Sequence, residues 1–265
     1  MTTTTVPLAS SIRHTAIITR RNLLRVARLP QLIIFTAIQP VMFLVLFNYV
    51  FGGALSFGGP ISQAGGYINW LIPGILLQSV VFGSSATSVG LTDDLSKGVI
   101  DRFRSLPMSR GAVLTARTLA DTMRMAFVTL LMLGVGTLMG WEYQHGFWNM
   151  FLGWVLALGF GYAMSWVMAT VGLMVRDPET AQVAGFLPLF PLVFASSVFV
   201  PTQTMPDWLQ AFAEIQPITV ATNAIRGLML TGDTGDYVWQ TMLWIVGLIA
   251  IFAPLAVRMY RRAVG

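Results

Sequence analysis

The stretch Asp93–Gly111, DDLSKGVIDRFRSLPMSRG, carries seven of the chain's 27 charged residues and stands between two long apolar runs, Tyr67 to Gly90 and Val113 to Met139. Read as a connector, it makes each run a helix that crosses a membrane, because each exceeds the roughly 20 helical residues needed to pass ~30 Å of hydrocarbon. Working outward, four further stretches meet the same test: Gln31 to Phe51, Phe147 to Val175, Ala181 to Val200 and Tyr237 to Val257. The expected fold is an all-α polytopic membrane protein, one permease-like domain of six transmembrane helices over residues 1–265. Composition agrees, since the chain is 55% hydrophobic and 10% charged, against about a quarter charged in soluble domains.

Lys and Arg settle the expected orientation, because they stay on the cytoplasmic side. Arg13 to Arg28, the 91–124 region, Arg176 and the tail from Arg258 hold all of them except Arg226. Both termini are therefore expected in the cytoplasm of a prokaryotic inner membrane. The N-terminus, MTTTTVPLASS, lacks the pattern of a cleaved signal peptide and is expected to be retained. Residues 9–29 read as an amphipathic interfacial helix, with Arg13, Arg20, Arg21, Arg25 and Arg28 in one arc of the wheel and Ile12, Ala16, Leu23 and Val26 opposite. Plain positive-inside flanking explains the same arginines. Arg117, Asp121 and Arg124, spaced i, i+4, i+7, form a self-neutralising stripe expected at the membrane surface. The basic residues flank spans and form no aromatic-interleaved patch, so nucleic acid is not an expected partner.

Apart from that stripe, the spans contain no Asp, Glu, Lys, Arg or His, which argues against a bound coupling ion. The only lysine, Lys97, lacks the glycine-rich context of a P-loop. The outer carboxylates Asp207, Glu214, Asp233 and Asp236 have no base or nucleophile beside them, and the chain has no Cys, so an enzyme is not expected. No cofactor is expected on this chain. If it moves a solute, energy arrives through a separate subunit docked on the cytoplasmic side. Asp93 and Asp94 read as the opening of a short helix, 93–106, that stops before Pro107. Val99, Phe103 and Leu106 give it an apolar ridge flanked by Asp101, Arg102 and Arg104, a pattern suited to docking in a protein groove. A solvated loop explains the arginines but neither the aspartates nor the ridge.

GVIDRFRSLPMSR (98–110) resembles the first cytoplasmic loop of type-2 ABC transporter permeases of the daunorubicin-resistance drug and lipid exporter branch. RDPETAQ (176–182) and FAEIQPITVATNAIRGLM (212–229) agree, and the resemblance covers essentially the whole chain. It implies a permease with no ATPase of its own, paired with a second copy or a paralogue on two ATP-binding-cassette subunits that hold ATP and Mg. It also implies that Asp94, Lys97, Asp101, Arg102, Phe103, Arg104, Leu106 and Pro107 belong to a coupling helix, with Arg176, Asp177 and Glu179 as a second contact. Residues 201–236 would form outer re-entrant helices, read here as Asp207 to Ile215 and Thr219 to Leu230 divided by Pro217. Candidate pathway or gate residues are Gln39, Phe43, Asn48, Gln78, Phe82, Glu214, Asn223 and Arg226, with Glu214 as the expected partner of Arg226. The polar ones equally suit helix packing, and Pro40, Pro73, Pro188 and Pro191 suggest kinks. The cargo expected across such uncharged spans is an amphiphilic or hydrophobic small molecule or lipid, with membrane lipids as neighbours. The alternatives are an ion-coupled carrier and a non-transporting scaffold or immunity protein.

Overall fold

A computed structural model describes residues 30–55, 59–97, 110–175 and 177–264. Among these, every regular element is helical: α1 (Pro30–Leu55), α2 (Gly59–Gln63), α3 (Tyr67–Ser96), α4 (Arg110–Leu138), α5 (Gly146–Met174), α6 (Pro178–Phe186), α7 (Leu189–Phe194), α8 (Asp207–Ile215), α9 (Pro217–Arg226) and α10 (Tyr237–Val264). Five of them, α1, α3, α4, α5 and α10, are long and apolar enough to cross a membrane. The sixth expected span, 181–200, is divided instead. α6 ends at Phe186, Pro188 caps α7, and an irregular turn follows to Val200. Two prolines three positions apart remove backbone donors and clash with the preceding turn. Helix α1 continues through Pro40 and α3 through Pro73.

Helix α3 is the axis of the bundle, packed against α1, α4, α5 and α6. Leu71, Ile72, Ile75, Leu76, Leu77 and Val80 on it are wholly buried. Small residues let its neighbours approach: a Cβ at Gly172 of α5 would lie 2.6 Å from the Ser88 carbonyl oxygen, and one at Gly74 would collide with the Val198 carbonyl. Close backbone approach of this kind, rather than hydrophobicity, selects interior helices in lipid. α1 and α10 lie at the periphery with Tyr49, Val50, Trp239, Val246 and Ile251 exposed, as lipid-facing surfaces require.

The divided segment runs alongside α3 for most of its length. Ser88 donates to the Ala181 carbonyl at 3.4 Å, and Tyr67 donates to the Phe199 carbonyl at 3.1 Å. Those two points on α3 are ~31 Å apart at 1.5 Å per residue. Asp93 and Asp94 do not open a helix, contrary to expectation; they lie in the last turn of α3. Opposed by the dipole at that end, they are held by cations, Asp93 by Lys97 at 2.7 Å and Asp94 by Arg117 at 3.2 Å. The expected interfacial helix 9–29 and residues 98–109 lie outside the described residues.

Candidate functional site: a cavity between two charged clusters

At the C-terminal end of α3, α4 supplies Arg117, Asp121 and Arg124 from successive turns, so their side chains share a face as their spacing predicts. The Arg117 Nε lies 3.4 Å from Asp121 Oδ2, and the Arg124 Nε lies 3.9 Å from Asp121 Oδ1. The stripe is not a surface feature. It turns inward onto α3, where the Thr87 hydroxyl donates to Asp121 at 2.8 Å and Arg124 Nη2 donates to the Gly83 carbonyl at 3.1 Å. Asp121 is consequently buried. Neither Thr87 nor Asp94 could be paired with this stripe from spacing, since both come from another helix.

Just above this cluster a cavity of about 260 Å³ opens between α1, α3, α4 and α6. Gln39 and Phe43 of α1, and Gln78 and Phe82 of α3, four of the expected pathway residues, meet on its wall. Arg124 and Thr129 of α4 and Gln182 and Phe186 of α6 complete it. These last four escaped the sequence reading, although Gln182, Phe186, Phe190 and Phe194 recur every four residues, a helical stripe visible in the chain. Asn48 is not part of the cavity wall; it packs beside Gly52 one turn on.

At the other end of α3, Arg226 at the last turn of α9 is 4% exposed. Its Nε donates to the Trp70 carbonyl at 3.1 Å; Nη2 donates to the carbonyls of Ser197 at 2.6 Å and Val198 at 3.0 Å. Its Nη1 reaches the Ser197 hydroxyl at 3.2 Å and Asn223 Oδ1 at 3.4 Å, while the guanidinium carbon sits 3.7 Å from the centre of the Trp70 ring. None of these partners is a carboxylate. The expected pairing with Glu214 is not made: Glu214 accepts instead from Gln210 at 2.7 Å and Thr202 at 3.5 Å on the exposed side of α8. The reason is geometric. Pro217 does not merely divide two helices but opens α9, sending Arg226 into the bundle while α8 stays outside with Trp208 and Ile215 exposed.

Of the expected coupling residues, Asp94 and Lys97 close α3, and Asp177 and Glu179 start α6. Asp177 caps that helix, its Oδ2 accepting from the Thr180 amide at 2.8 Å and hydroxyl at 2.9 Å. The amide bond above all, and then the hydroxyl bond, hold its carboxyl below the usual value. Thr92 donates to the Gly172 carbonyl at 2.9 Å, which keeps the end of α5, and hence Asp177, at the same end of the bundle as Asp94. Asp101, Arg102, Phe103, Arg104, Leu106, Pro107 and Arg176 lie outside the described residues.

Comparison with known proteins agrees with this architecture. Residues 13–230 match the family described as ABC-2 type transporter. The chain is 33% identical over 242 residues to the "Daunorubicin resistance ABC transporter permease protein DrrB1" of Streptomyces coeruleorubidus, covering 91% of this chain and 83% of that one. It is 29% identical over 253 residues to the "Probable doxorubicin resistance ABC transporter permease protein DrrC" of Mycobacterium tuberculosis, covering 95% and 90%. It is 28% identical over 221 residues to "Doxorubicin resistance ABC transporter permease protein DrrB" of the same species, covering 80% and 74%. The chain thus belongs to the ABC-2 type transporter family, as a multi-pass permease subunit of an ATP-driven exporter in the bacterial plasma membrane that works with an ATP-binding partner subunit.

Proposed function

We propose that this permease exports an amphiphilic or hydrophobic small molecule, of the class named in its relatives' titles, or a lipid. It carries no ATPase site of its own. ATP and Mg bind to the partner, two copies of which serve a pair of permeases, either two copies of this chain or this chain with a paralogue. Both termini face the cytoplasm, and the end of the bundle holding Asp94 and Asp121 is the cytoplasmic one. Segment 178–200 completes a sixth crossing: although broken, it touches α3 at points ~31 Å apart, about the thickness of the hydrocarbon core.

The observation that carries the coupling reading is the ion network at the end of α3. Residues 98–109 join α3 to α4, and the Asp94–Arg117 and Thr87–Asp121 contacts tie those two helices at the point where the connector enters and leaves. A partner pressing on the connector therefore moves α3 and α4 as one unit, and with them two walls of the cavity. Asp101 to Pro107 form the docking element, and Arg176, Asp177 and Glu179 form a second contact at the same end. The variant Arg104→Glu tests this: membrane insertion and co-purification of the permease should persist while permease-dependent stimulation of the partner's ATPase is lost. Unchanged stimulation would sink the assignment.

A further inference from the structure

The cavity has a narrower chemistry than its polar lining suggests. Gln78 is 2% exposed, and its Oε1 has no hydrogen-bond partner. A half-turn of the terminal amide turns either its oxygen or its nitrogen toward the cavity. Ser79 and Ser85 spend their hydroxyl protons on the carbonyls of Ile75 at 2.7 Å and Phe82 at 2.6 Å, so toward the cavity they can only accept. Arg124 is already engaged by Asp121 and the Gly83 carbonyl. A carboxylate or phosphate would meet these acceptors without an uncommitted cation to offset them. A hydroxyl, donor and acceptor at once, matches Gln78 in either orientation and the serine oxygens as well.

The walls indicate what bears that hydroxyl. Phe82 and Phe186 stack at 4.8 Å beside Gln78, and a series of rings continues from them: Phe186 to Phe190 at 6.2 Å, Phe190 to Phe194 at 4.4 Å, Phe194 to Phe199 at 5.1 Å and Phe199 to Phe47 at 4.4 Å. The series follows the broken segment from the cavity to the level of Tyr67, which holds the Phe199 carbonyl. Centroid spacings of this size are those of aromatic pairs in contact, so a flat ring can exchange one phenyl face for the next without losing its partner. At about 260 Å³ the cavity is just under the ~300–1,000 Å³ of pockets that enclose a whole drug-sized ligand, and so admits one flat end of an amphiphile.

We propose that this cavity is a binding site, contained in a single copy of the chain, for planar aromatic molecules carrying free hydroxyl groups, and that the phenyl series is the surface along which they leave toward the Arg226 end. The direction of movement rests on the export reading; the binding does not, and is measured without the partner subunit. The full chain in lipid nanodiscs is dialysed to equilibrium against 2,6-dihydroxyanthraquinone, whose hydroxyls are too far from the ring carbonyls to be occupied by them, and against unsubstituted anthraquinone. Gln78→Leu should weaken the dihydroxy probe roughly five- to tenfold, the equivalent of one hydrogen bond, and leave anthraquinone within twofold. Phe186→Ala should weaken both. Ser85→Ala, whose hydroxyl serves only its own helix in the protein, supplies the same differential readout should Gln78→Leu not fold. Equal losses for both probes, no loss, or displacement of the dihydroxy probe by phosphatidylglycerol with no dependence on Gln78 would overturn the site, the last marking a lipid pocket. Probe binding without ATP-driven export in vesicles carrying the partner would overturn the export reading and leave the site. Export of other amphiphiles with a silent Gln78→Leu would do the reverse.

Discussion

The two ends of α3 solve the problem of charge in a membrane bundle in opposite ways. At one end, Asp94, Arg117, Asp121 and Arg124 neutralise each other, two of each sign, with Thr87 and the Gly83 carbonyl filling the remaining sites. At the other, a single guanidinium is buried against neutral dipoles and an indole face. The ion network is redundant, because each member has more than one partner. The Arg226 cluster has no such redundancy: one side chain gathers α3, the irregular turn after α7, and α9. Arg suits that task because its planar fork offers five donors in fixed directions and stacks on an aromatic ring, which an ammonium does not. The ends are therefore expected to respond differently to mutation.

The largest effect falls on the non-redundant end. Arg226→Met leaves the carbonyls of Trp70, Ser197 and Val198 without their donor, a loss of about 2–3 kcal/mol, seen as a lowered Tm in detergent. Arg226→Lys should recover less than half of it; full recovery by Lys would mean that charge, not the fork, holds the cluster. Gly74→Ala probes the same end through sterics, since its Cβ collides with the backbone of Val198. It should cost about 1–3 kcal/mol, whereas Gly247→Ala, with nothing within 4 Å, should not destabilise. Equal behaviour of the two would show that the Val198 turn yields freely.

Asp121→Asn tests redundancy at the ion network. Arg117 keeps Asp94 and Arg124 keeps the Gly83 carbonyl, so the cost should stay near 1 kcal/mol, below that of Arg226→Met. A larger loss would make the two ends alike. The smallest effect belongs to Asp177. Its folded carboxyl titrates below the ordinary value, so its support for α6 is fully present above the usual carboxylate range, near pH 4, and is lost as pH falls through the lowered value. Exchange protection of the Thr180 amide should fall with pH in that window, and Asp177→Asn, a cap that does not titrate, should flatten the profile. A pH dependence that survives in Asp177→Asn would place the titrating group elsewhere.

These contrasts also explain what could be read from the chain. The Arg117, Asp121 and Arg124 stripe was visible because its members lie within two turns of one helix, where spacing fixes direction. The Arg226 cluster was not, because Arg226 and Trp70 are 156 positions apart and meet only once the chain has crossed back. Glu214 was the natural guess as its partner in sequence, and the turn at Pro217 sends the two apart. The four cavity residues read as pathway candidates shared only polarity or aromaticity in an apolar span. Their convergence with Gln182 and Phe186 depended on α6 lying beside α3, and Asn48 met the same criterion without joining them.

Crossing the membrane, the helical class, the two short helices before α10 and the charge at the ends of the spans were determined by sequence alone. Transfer of apolar side chains and a rise of 1.5 Å per residue are local properties that need no partner. Which helix lies inside was decided only by tertiary structure. α3 has a mean hydropathy of 1.4 and α10 of 2.1, yet the more polar α3 is the buried one. In lipid an apolar surface gains little by leaving its solvent, so the interior goes to the helix whose glycines, serines and threonines let other backbones come close and whose polar groups find partners there.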